Sequence, residues 1–180
     1  MKTTYDPIAK ILHWLVFVLL AIEFTIAWTM PGVHRGASPT TLVDLHFSFG
    51  MLILVVTVLR ILWRLTHHVP ALGGNMPHYE KVLALTTHYA LYAGLLIMPF
   101  AGWTWASSRG WPITFFNLFS VQPIIATGSS LGSLAGNVHS FLGVAIASLI
   151  GLHALAALRH HFILKDDILK RMLPQFKKNF

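Results

Sequence analysis

Residues 137–161 read "NVHSFLGVAIASLIGLHALAALRHH", an apolar stretch long enough to cross a bilayer as a helix, yet one that contains His139 and His153. A helix rises about 1.5 Å and turns about 100° per residue, so the fourteen positions separating these histidines correspond to roughly 21 Å and to a rotation about 40° short of whole turns. The two imidazoles are therefore predicted to lie on one face of the helix, at opposite depths of the membrane.

Three more apolar segments precede this one, and each is also long enough to span. Because 55% of the residues are hydrophobic and only 11% are charged, the composition indicates an integral membrane protein. A chain of 180 residues has room for four spans and short connections, so residues 1–180 are predicted to form a single domain, an all-α four-helix bundle in the membrane. The predicted spans are 8–29, 44–64, 84–106 and 137–160.

Histidine stands out in this composition, with eleven copies, whereas cysteine is absent. The lack of cysteine excludes disulfides, thiolate-bound iron–sulfur clusters and covalent haem attachment. Any metal or cofactor chemistry is therefore expected to depend on the histidines.

The third connection, residues 107–136, is too apolar for a disordered linker. Its aromatic residues are typical of segments that lie at the surface of a bilayer. We therefore expect a short interfacial helix within it.

The lysines and arginines predict how the chain crosses the membrane. Of the thirteen, only Arg35 and Arg109 fall in the first and third connections, and the others lie near the termini or beside the second connection. Because cytoplasmic loops carry the excess of positive charge, both termini are predicted to be cytoplasmic. The net charge of +7 is then explained by topology and by attraction to anionic lipid. No nucleic-acid partner is expected.

With this orientation, the histidines fall into pairs according to depth. His46 and His139 both lie near the periplasmic ends of their helices, whereas His13 and His153 lie near the cytoplasmic ends. Two imidazoles that face each other across a gap in a helix bundle supply the two axial ligands of a six-coordinate b-type haem. The spacing therefore predicts two haems stacked across the membrane. By depth alone, His88 is a third candidate for the cytoplasmic pair.

Two glycines strengthen the haem interpretation. Gly50 and Gly143 each follow a histidine by four residues in "HFSFG" and "HSFLG", one turn along the same helix face. A missing side chain there would let a porphyrin approach the backbone. Glycines with such spacing are also common where membrane helices pack together, so the alternative is simple helix packing.

The whole set of motifs resembles the bacterial cytochrome b561 family, which is related to the cytochrome b subunits of nickel–iron hydrogenases. The resemblance implies a four-helix cytochrome of the bacterial inner membrane with two b haems, one ligated by His13 and His153 and the other by His46 and His139. It also implies that His88 is not a ligand. The motifs are "HWL" at 13–15, "HFSFGMLILVVTVLRILWR" at 46–64, "HYALYAGLLIMPFAGW" at 88–103, "RGWPITFF" at 109–116 and "RHHFILKDDILKRM" at 159–172.

Four residues are candidates for binding a haem propionate or a quinone on the cytoplasmic side. Arg60 lies at the depth of the cytoplasmic haem and is expected either to bind a haem propionate or to extend to the lipid headgroups. His88, His160 and His161 are candidates for a quinone pocket, in line with the exchange of electrons with quinone in this family. The alternatives are a histidine satisfied by local partners, for His88, and a tail anchored on the inner leaflet, for His160 and His161.

Glu23 and the few periplasmic cations complete the set of candidates. Glu23 is the one acidic residue well inside a predicted span and lies close to the level of the periplasmic haem. It is expected to handle protons, to tune a ligand, or to be a neutral hydrogen-bonded acid without a catalytic role. His34, Arg35 and Arg109 are placed to attract a small anion on the periplasmic side.

The function implied by these residues and by the resemblance is a dihaem electron carrier that exchanges electrons with ubiquinone. One characterised activity of the family is oxidation of superoxide on the periplasmic side, and the anchoring of a periplasmic redox partner is a second cytochrome role. A function of another class is a histidine-lined transporter of protons or divalent metal. Lipid contacts are expected in every case, and the oligomeric state does not follow from the sequence.

Overall fold

Four long helices form the structure, a computed structural model that describes residues 4–32, 39–71 and 76–174. All four are long and apolar enough to cross a membrane, which confirms the predicted four-helix membrane fold. The helices are α1 at Pro7–Thr29, α2 at Thr41–Thr66, α3 at His78–Ser108 and α4 at Leu131–Arg159.

Two of the helices begin six residues before the predicted spans, since α3 starts at His78 rather than at 84 and α4 at Leu131 rather than at 137. The predictions followed the apolar run, whereas the backbone already becomes helical in the more polar residues that precede it. At its other end α4 continues as one π-helical turn, His160–Leu164, and stops at Lys165, whose φ of 54° ends the helical path.

Both ends of the described chain lie at the same end of the bundle, which we call the terminal end. The Tyr5 N–H donates to the Arg171 carbonyl over 3.3 Å. Asp6 caps α1 by accepting from the Ala9 N–H, and it also accepts from the Trp63 indole near the end of α2, each over 3.0 Å. Burial raises the pKa of Asp6, but these hydrogen bonds outweigh it and hold that pKa below its ordinary value.

The opposite end, called here the hairpin end, carries two short antiparallel strands, β1 at Ile113–Phe115 and β2 at Phe119–Val121. The interfacial helix predicted for this connection is therefore wrong. Phe116 and Asn117 both have positive φ, 46° and 58°, and this conformation turns the chain back on itself and cannot continue a right-handed helix.

A layer of six apolar side chains crosses the bundle at mid-depth, with contributions from all four helices. Ile146 lies at its centre, only 1% exposed and seven positions from both His139 and His153. The outer faces of the helices instead present large exposed apolar side chains, as expected of surfaces that contact lipid. This middle layer consists of Val16, Leu19, Ile53, Val56, Leu95 and Ile146.

Candidate haem-binding sites

The hairpin-end cavity, of about 610 Å³, contains the first predicted histidine pair. The rings of His46 on α2 and His139 on α4 face each other with their centres 5.8 Å apart and their planes at 82°. Both histidines line this cavity, whose volume is in the range typical of cofactor sites. His46 and His139, which match by depth in the sequence, are therefore neighbours in the structure.

The terminal-end cavity, of about 400 Å³, contains the second pair. His13 on α1 and His153 on α4 have ring centres 6.3 Å apart and planes at 73°. The middle layer lies between the two cavities, and three side chains, Phe24, Trp28 and Ala147, line both of them. One face of α4 thus supplies a histidine to each cavity.

The spacing within each pair fits a single iron. An imidazole nitrogen binds a metal at about 2.0 Å, so two imidazoles on opposite sides of one iron have ring centres about 6 Å apart. The observed separations of 5.8 and 6.3 Å agree with this requirement. Within the three described ranges, no group of three or more His, Cys, Asp and Glu side chains is placed to hold a metal ion. Two facing imidazoles in an apolar cavity suit a metal whose other ligands come from a porphyrin.

The hairpin-end histidines are oriented by contacts at Nδ1. His139 Nδ1 lies 3.0 Å from the Met98 carbonyl, and His46 Nδ1 lies 2.9 Å from Oε1 of Glu23. A ring nitrogen held in this way fixes the tautomer and leaves Nε2 for a metal. By hydrogen-bond geometry neither His46 Nδ1 nor His13 Nδ1 at the terminal end has a partner among the described residues, and of the two His46 alone has a carboxylate oxygen close by.

The predicted glycines line the hairpin-end cavity, but a third glycine is more tightly constrained. A Cβ at Gly143 would lie 3.6 Å from Met98 Cε and one at Gly50 3.4 Å from Glu23 Oε1, both ordinary contacts. At Gly102 a Cβ would lie only 2.9 Å from Cε1 of His139. Gly102 is therefore the residue that lets the His139 ring lie against α3, while the role of Gly50 and Gly143 toward a porphyrin stays a prediction.

Sequence reasoning missed Gly102 and the Met98 carbonyl. The signal available was "MPFAG" at 98–102, in which a proline and a glycine interrupt an apolar span. Such residues within a membrane helix commonly mark a place where another group approaches the backbone. Which side chain approaches depends on the pairing of α3 with α4, and the spacing along one helix does not contain that information.

His88 lies in the terminal-end cavity, next to the histidine pair. Its ring centre is 5.1 Å from that of His153, and its Nδ1 is hydrogen-bonded to the Ala84 carbonyl. This separation is about 1 Å shorter than two ligands of one iron require. His13 fits the position opposite His153 better than His88 does.

Arg60 forms part of the wall of the same cavity. Its guanidinium lies over the ring of Tyr92, 5.3 Å from the ring centre. Arg60, His88 and Tyr92 also line a second, smaller pocket at the terminal end, together with Arg64 and His67. The cation predicted at this depth is therefore positioned between the cavity and the end of the bundle, rather than extended along the lipid.

His160 and His161 line neither histidine-pair cavity. His160 Nδ1 donates to a carboxylate oxygen of Asp166, and its Nε2 lies 3.8 Å from Glu80 at the start of α3. The His161 ring packs on Phe162 with centres 4.8 Å apart. The structure places both residues at the junction of α4 with the C-terminal segment, so it does not bring them together with His88.

The predicted periplasmic cations are only partly within the described ranges. His34 and Arg35 lie outside them. The Arg109 guanidinium lies over the rings of both Trp105 and Trp111, 4.9 and 4.7 Å from their centres, and both tryptophans line the hairpin-end cavity. Trp105 also contacts His139, with ring centres 6.2 Å apart. Arg109 and His139 therefore both contact Trp105.

Comparisons with known proteins agree with the haem interpretation. The sequence profile of the prokaryotic cytochrome b561 family matches residues 4–175. The chain is 31% identical to cytochrome b561 homolog 2 of Escherichia coli, over 98% of this chain and 94% of that protein. It is 33% identical to a probable superoxide oxidase of Yersinia pestis, over 97% of this chain and 98% of that protein. It is also 28% identical to a cytochrome b562 of Cereibacter sphaeroides, over 94% of each chain.

Proposed function

The chain belongs to the prokaryotic cytochrome b561 family of membrane haem b electron carriers, and from this premise we propose that it binds two b haems. His46 and His139 would hold one haem in the hairpin-end cavity, and His13 and His153 would hold the other in the terminal-end cavity. The observation that carries the proposal is the presence of two facing histidine pairs, 5.8 and 6.3 Å between ring centres, each in its own apolar cavity. Bound haem supplies one-electron redox chemistry at each site.

Groups around each pair position the proposed ligands. At the hairpin end the Met98 carbonyl lies beside His139 and the Glu23 carboxyl beside His46, and Gly102 lets His139 reach its position. At the terminal end, Arg60 is a cation suited to a haem propionate. A helical rise of about 21 Å between His139 and His153 makes the two sites a path for single electrons across most of the bilayer.

The proposed direction of this path uses the charge distribution of the chain. Positive residues concentrated at the terminal end favour a cytoplasmic location for it and a periplasmic location for the hairpin end, in the inner membrane of a bacterium. Ubiquinone is then the proposed partner at the terminal end, where His88, Arg60 and Tyr92 present donors beside the cavity. His160 and His161, close to the same end, stay in the proposal as groups that exchange protons with the cytoplasm.

Superoxide is the proposed electron donor at the hairpin end. The similarity to a probable superoxide oxidase over 97% of the chain favours this donor. Arg109, whose guanidinium lies over Trp105 and Trp111, adds positive charge close to His139, which favours the approach of a small anion. In this proposal two superoxide anions would each give up one electron to become O2, and one ubiquinone would take up both electrons with two protons to become ubiquinol. The haems held by the two histidine pairs would supply the one-electron chemistry between them, and the enzyme class is that of a superoxide oxidase.

Haem stoichiometry tests the ligand assignment. The full-length protein, purified in detergent, is expected to contain two haems by the pyridine haemochrome assay, and His46→Ala and His153→Ala are each expected to lose one. His88→Ala is the matched control and should retain both. Loss of a haem from His88→Ala together with retention of both in His13→Ala would contradict the assignment. A colourless wild-type protein that responds to divalent metals would instead support the transporter alternative.

Reduction kinetics test the donor and the acceptor. A flux of superoxide is expected to reduce the oxidised protein, with the growth of b-type absorption bands, and added ubiquinone should reoxidise it. Superoxide dismutase should abolish the reduction. If superoxide leaves the haems oxidised while a chemical reductant reduces them, superoxide is not the donor, although the dihaem assignment stands.

A further inference from the structure

Glu23 makes a contact that the proposed electron path does not require. Its Oε1 lies 2.9 Å from Nδ1 of His46, and both residues are 8% exposed, deep in the bundle. Glu23 belongs to α1 and His46 to α2, so the contact joins two helices at the hairpin-end cavity. The other carboxyl oxygen, Oε2, is buried without a hydrogen-bond partner among the described residues. A carboxyl group in this position has one specific neighbour, and that neighbour is a proposed haem ligand.

We propose that Glu23 is a positioning residue that holds the His46 ring with Nε2 toward the cavity and lowers the reduction potential of the hairpin-end haem. This inference rests on the proposed ligation by His46 and His139. A carboxyl that accepts from Nδ1 fixes the orientation of a metal-binding imidazole and makes it a stronger electron donor to the metal. A stronger donor favours the oxidised iron, which carries one more positive charge.

The two cavities differ in this respect. At the hairpin end an oxygen lies close to Nδ1 of each histidine, that of the Glu23 carboxyl 2.9 Å from His46 and that of the Met98 carbonyl 3.0 Å from His139. At the terminal end no carboxylate is paired with His13 in the described part of the chain, and a guanidinium, that of Arg60, lines the cavity. A nearby cation favours the reduced iron, so it raises the potential there.

Both differences lower the reduction potential of the hairpin-end haem relative to that of the terminal-end haem. Glu23 makes the hairpin-end haem the weaker oxidant, and Arg60 makes the terminal-end haem the stronger one. Electrons therefore move downhill from the hairpin end to the terminal end, without any change in the ligand types. The direction is set by one carboxyl and one guanidinium, which belong to different helices.

A redox titration followed by absorbance tests the proposal, with wild type and Glu23→Gln compared at one pH. The amide keeps the size of the side chain but is a weaker, neutral acceptor. We expect the oxidised-to-reduced ratio of one haem to fall about tenfold at a fixed ambient potential, at the low end of what partners of metal ligands typically control. This corresponds to a rise of about 59 mV for a one-electron couple. The other haem should keep its potential, and Glu23→Leu should give the same change or a larger one.

Asp44→Asn is the matched control. Asp44 is an acidic residue in the first turn of α2, the helix that carries His46, but its carboxylate is not paired with His46 or His139. It should leave both potentials unchanged. Loss of a single haem from Glu23→Gln, with the other haem at its wild-type potential, would also support a positioning role.

The proposal is overturned if Glu23→Gln binds two haems with both wild-type potentials, or if Asp44→Asn shifts the same haem equally. Failure of the underlying ligation is recognised separately, since wild type would then bind fewer than two haems or His46→Ala would retain both.

Discussion

The two ends of the bundle close their cavities in different ways. At the hairpin end, buried serines hold the backbone of the turn and of the segment after β2, since Ser48 Oγ accepts from the Phe116 N–H over 2.9 Å and Ser107 Oγ from the Ile124 N–H over 3.2 Å. At the terminal end, the segment that follows α4 is held mainly by side chains, including Trp14, whose indole donates to the Met172 carbonyl over 2.9 Å. The hairpin end is therefore built as a fixed site, whereas the terminal end depends on contacts that respond to its surroundings.

The surroundings of the histidines also differ between the two ends. Those at the hairpin end are held at Nδ1 by a carbonyl and a carboxyl, and Gly102 fits closely against one of the rings. Those at the terminal end have His88 and Arg60 beside them, which are groups suited to exchanging a proton or binding an anion. Under the proposed function, this difference matches a rigid site for the entry of electrons and a site where protons can reach a quinone.

The largest expected effect concerns the close fit of His139 on α3. In Gly102→Val, the added side chain would overlap the His139 ring, since a Cβ alone would lie 2.9 Å from Cε1. We expect loss of the hairpin-end haem, so that the haem-to-protein ratio falls by about half. Gly143→Ala is the control, because its Cβ would meet Met98 Cε at an ordinary 3.6 Å, and it should retain both haems. Equal haem content in the two variants would show that the fit at Gly102 is not critical.

A smaller effect is expected from detaching the hairpin. Ser48 is 1% exposed, and its hydroxyl donates to the Asp44 carbonyl besides accepting from Phe116. Ser48→Ala leaves the Phe116 N–H without its acceptor, which should lower the free energy of unfolding by about 1–3 kcal/mol. Thermal unfolding in detergent, followed by Trp fluorescence, measures the change. Ser133→Ala, at an exposed serine of α4, should unfold like wild type.

The smallest effect concerns pH at the terminal end. Burial raises the pKa of Asp166, but hydrogen bonds from His160 and the Ile168 N–H outweigh it and bring the pKa below its ordinary value. Asp166 therefore stabilises the folded segment above the ordinary carboxyl pKa of about 3.9. That stabilisation is lost as the pH falls below this value through the folded pKa.

Limited proteolysis of the C-terminal segment between pH 6 and 3 measures this loss. Cleavage of wild type should increase toward the acid end of the range, whereas Asp166→Asn should be cleaved readily throughout. Asp167→Asn is the control, since Asp167 is an exposed neighbour paired with Lys170. A wild-type protein whose cleavage does not change with pH would contradict the role given to Asp166.

The helices and the histidine pairs could be predicted because they depend on periodicity along single helices. The separation of His139 from His153 determines both their depth and their common face. His46 then matches His139 by depth, whereas depth alone left both His13 and His88 as partners for His153. The hairpin was not predictable in this way, because it depends on the backbone conformation of Phe116 and Asn117 rather than on their apolar character.

Contacts between helices were the least predictable part of the site. The level of Glu23 followed from its position in α1, but its contact with His46 depends on how α1 is rotated against α2. The approach of His139 to Gly102 depends in the same way on the packing of α3 against α4. Residues such as His160 and His161 could be placed at the correct end, while their actual neighbours, Asp166 and Phe162, depend on the path of the chain after α4.

The middle layer around Ile146 has a consequence for energy conversion. Its six side chains carry no polar atom, so they offer a proton no hydrogen-bonded route between the two cavities. Tunnelling electrons need no such route. With both haems bound as proposed, an electron that crosses this layer unaccompanied by a proton would move net charge through the membrane. The rate of transfer between the haems should therefore depend on the transmembrane voltage, which would drive or oppose turnover according to its sign.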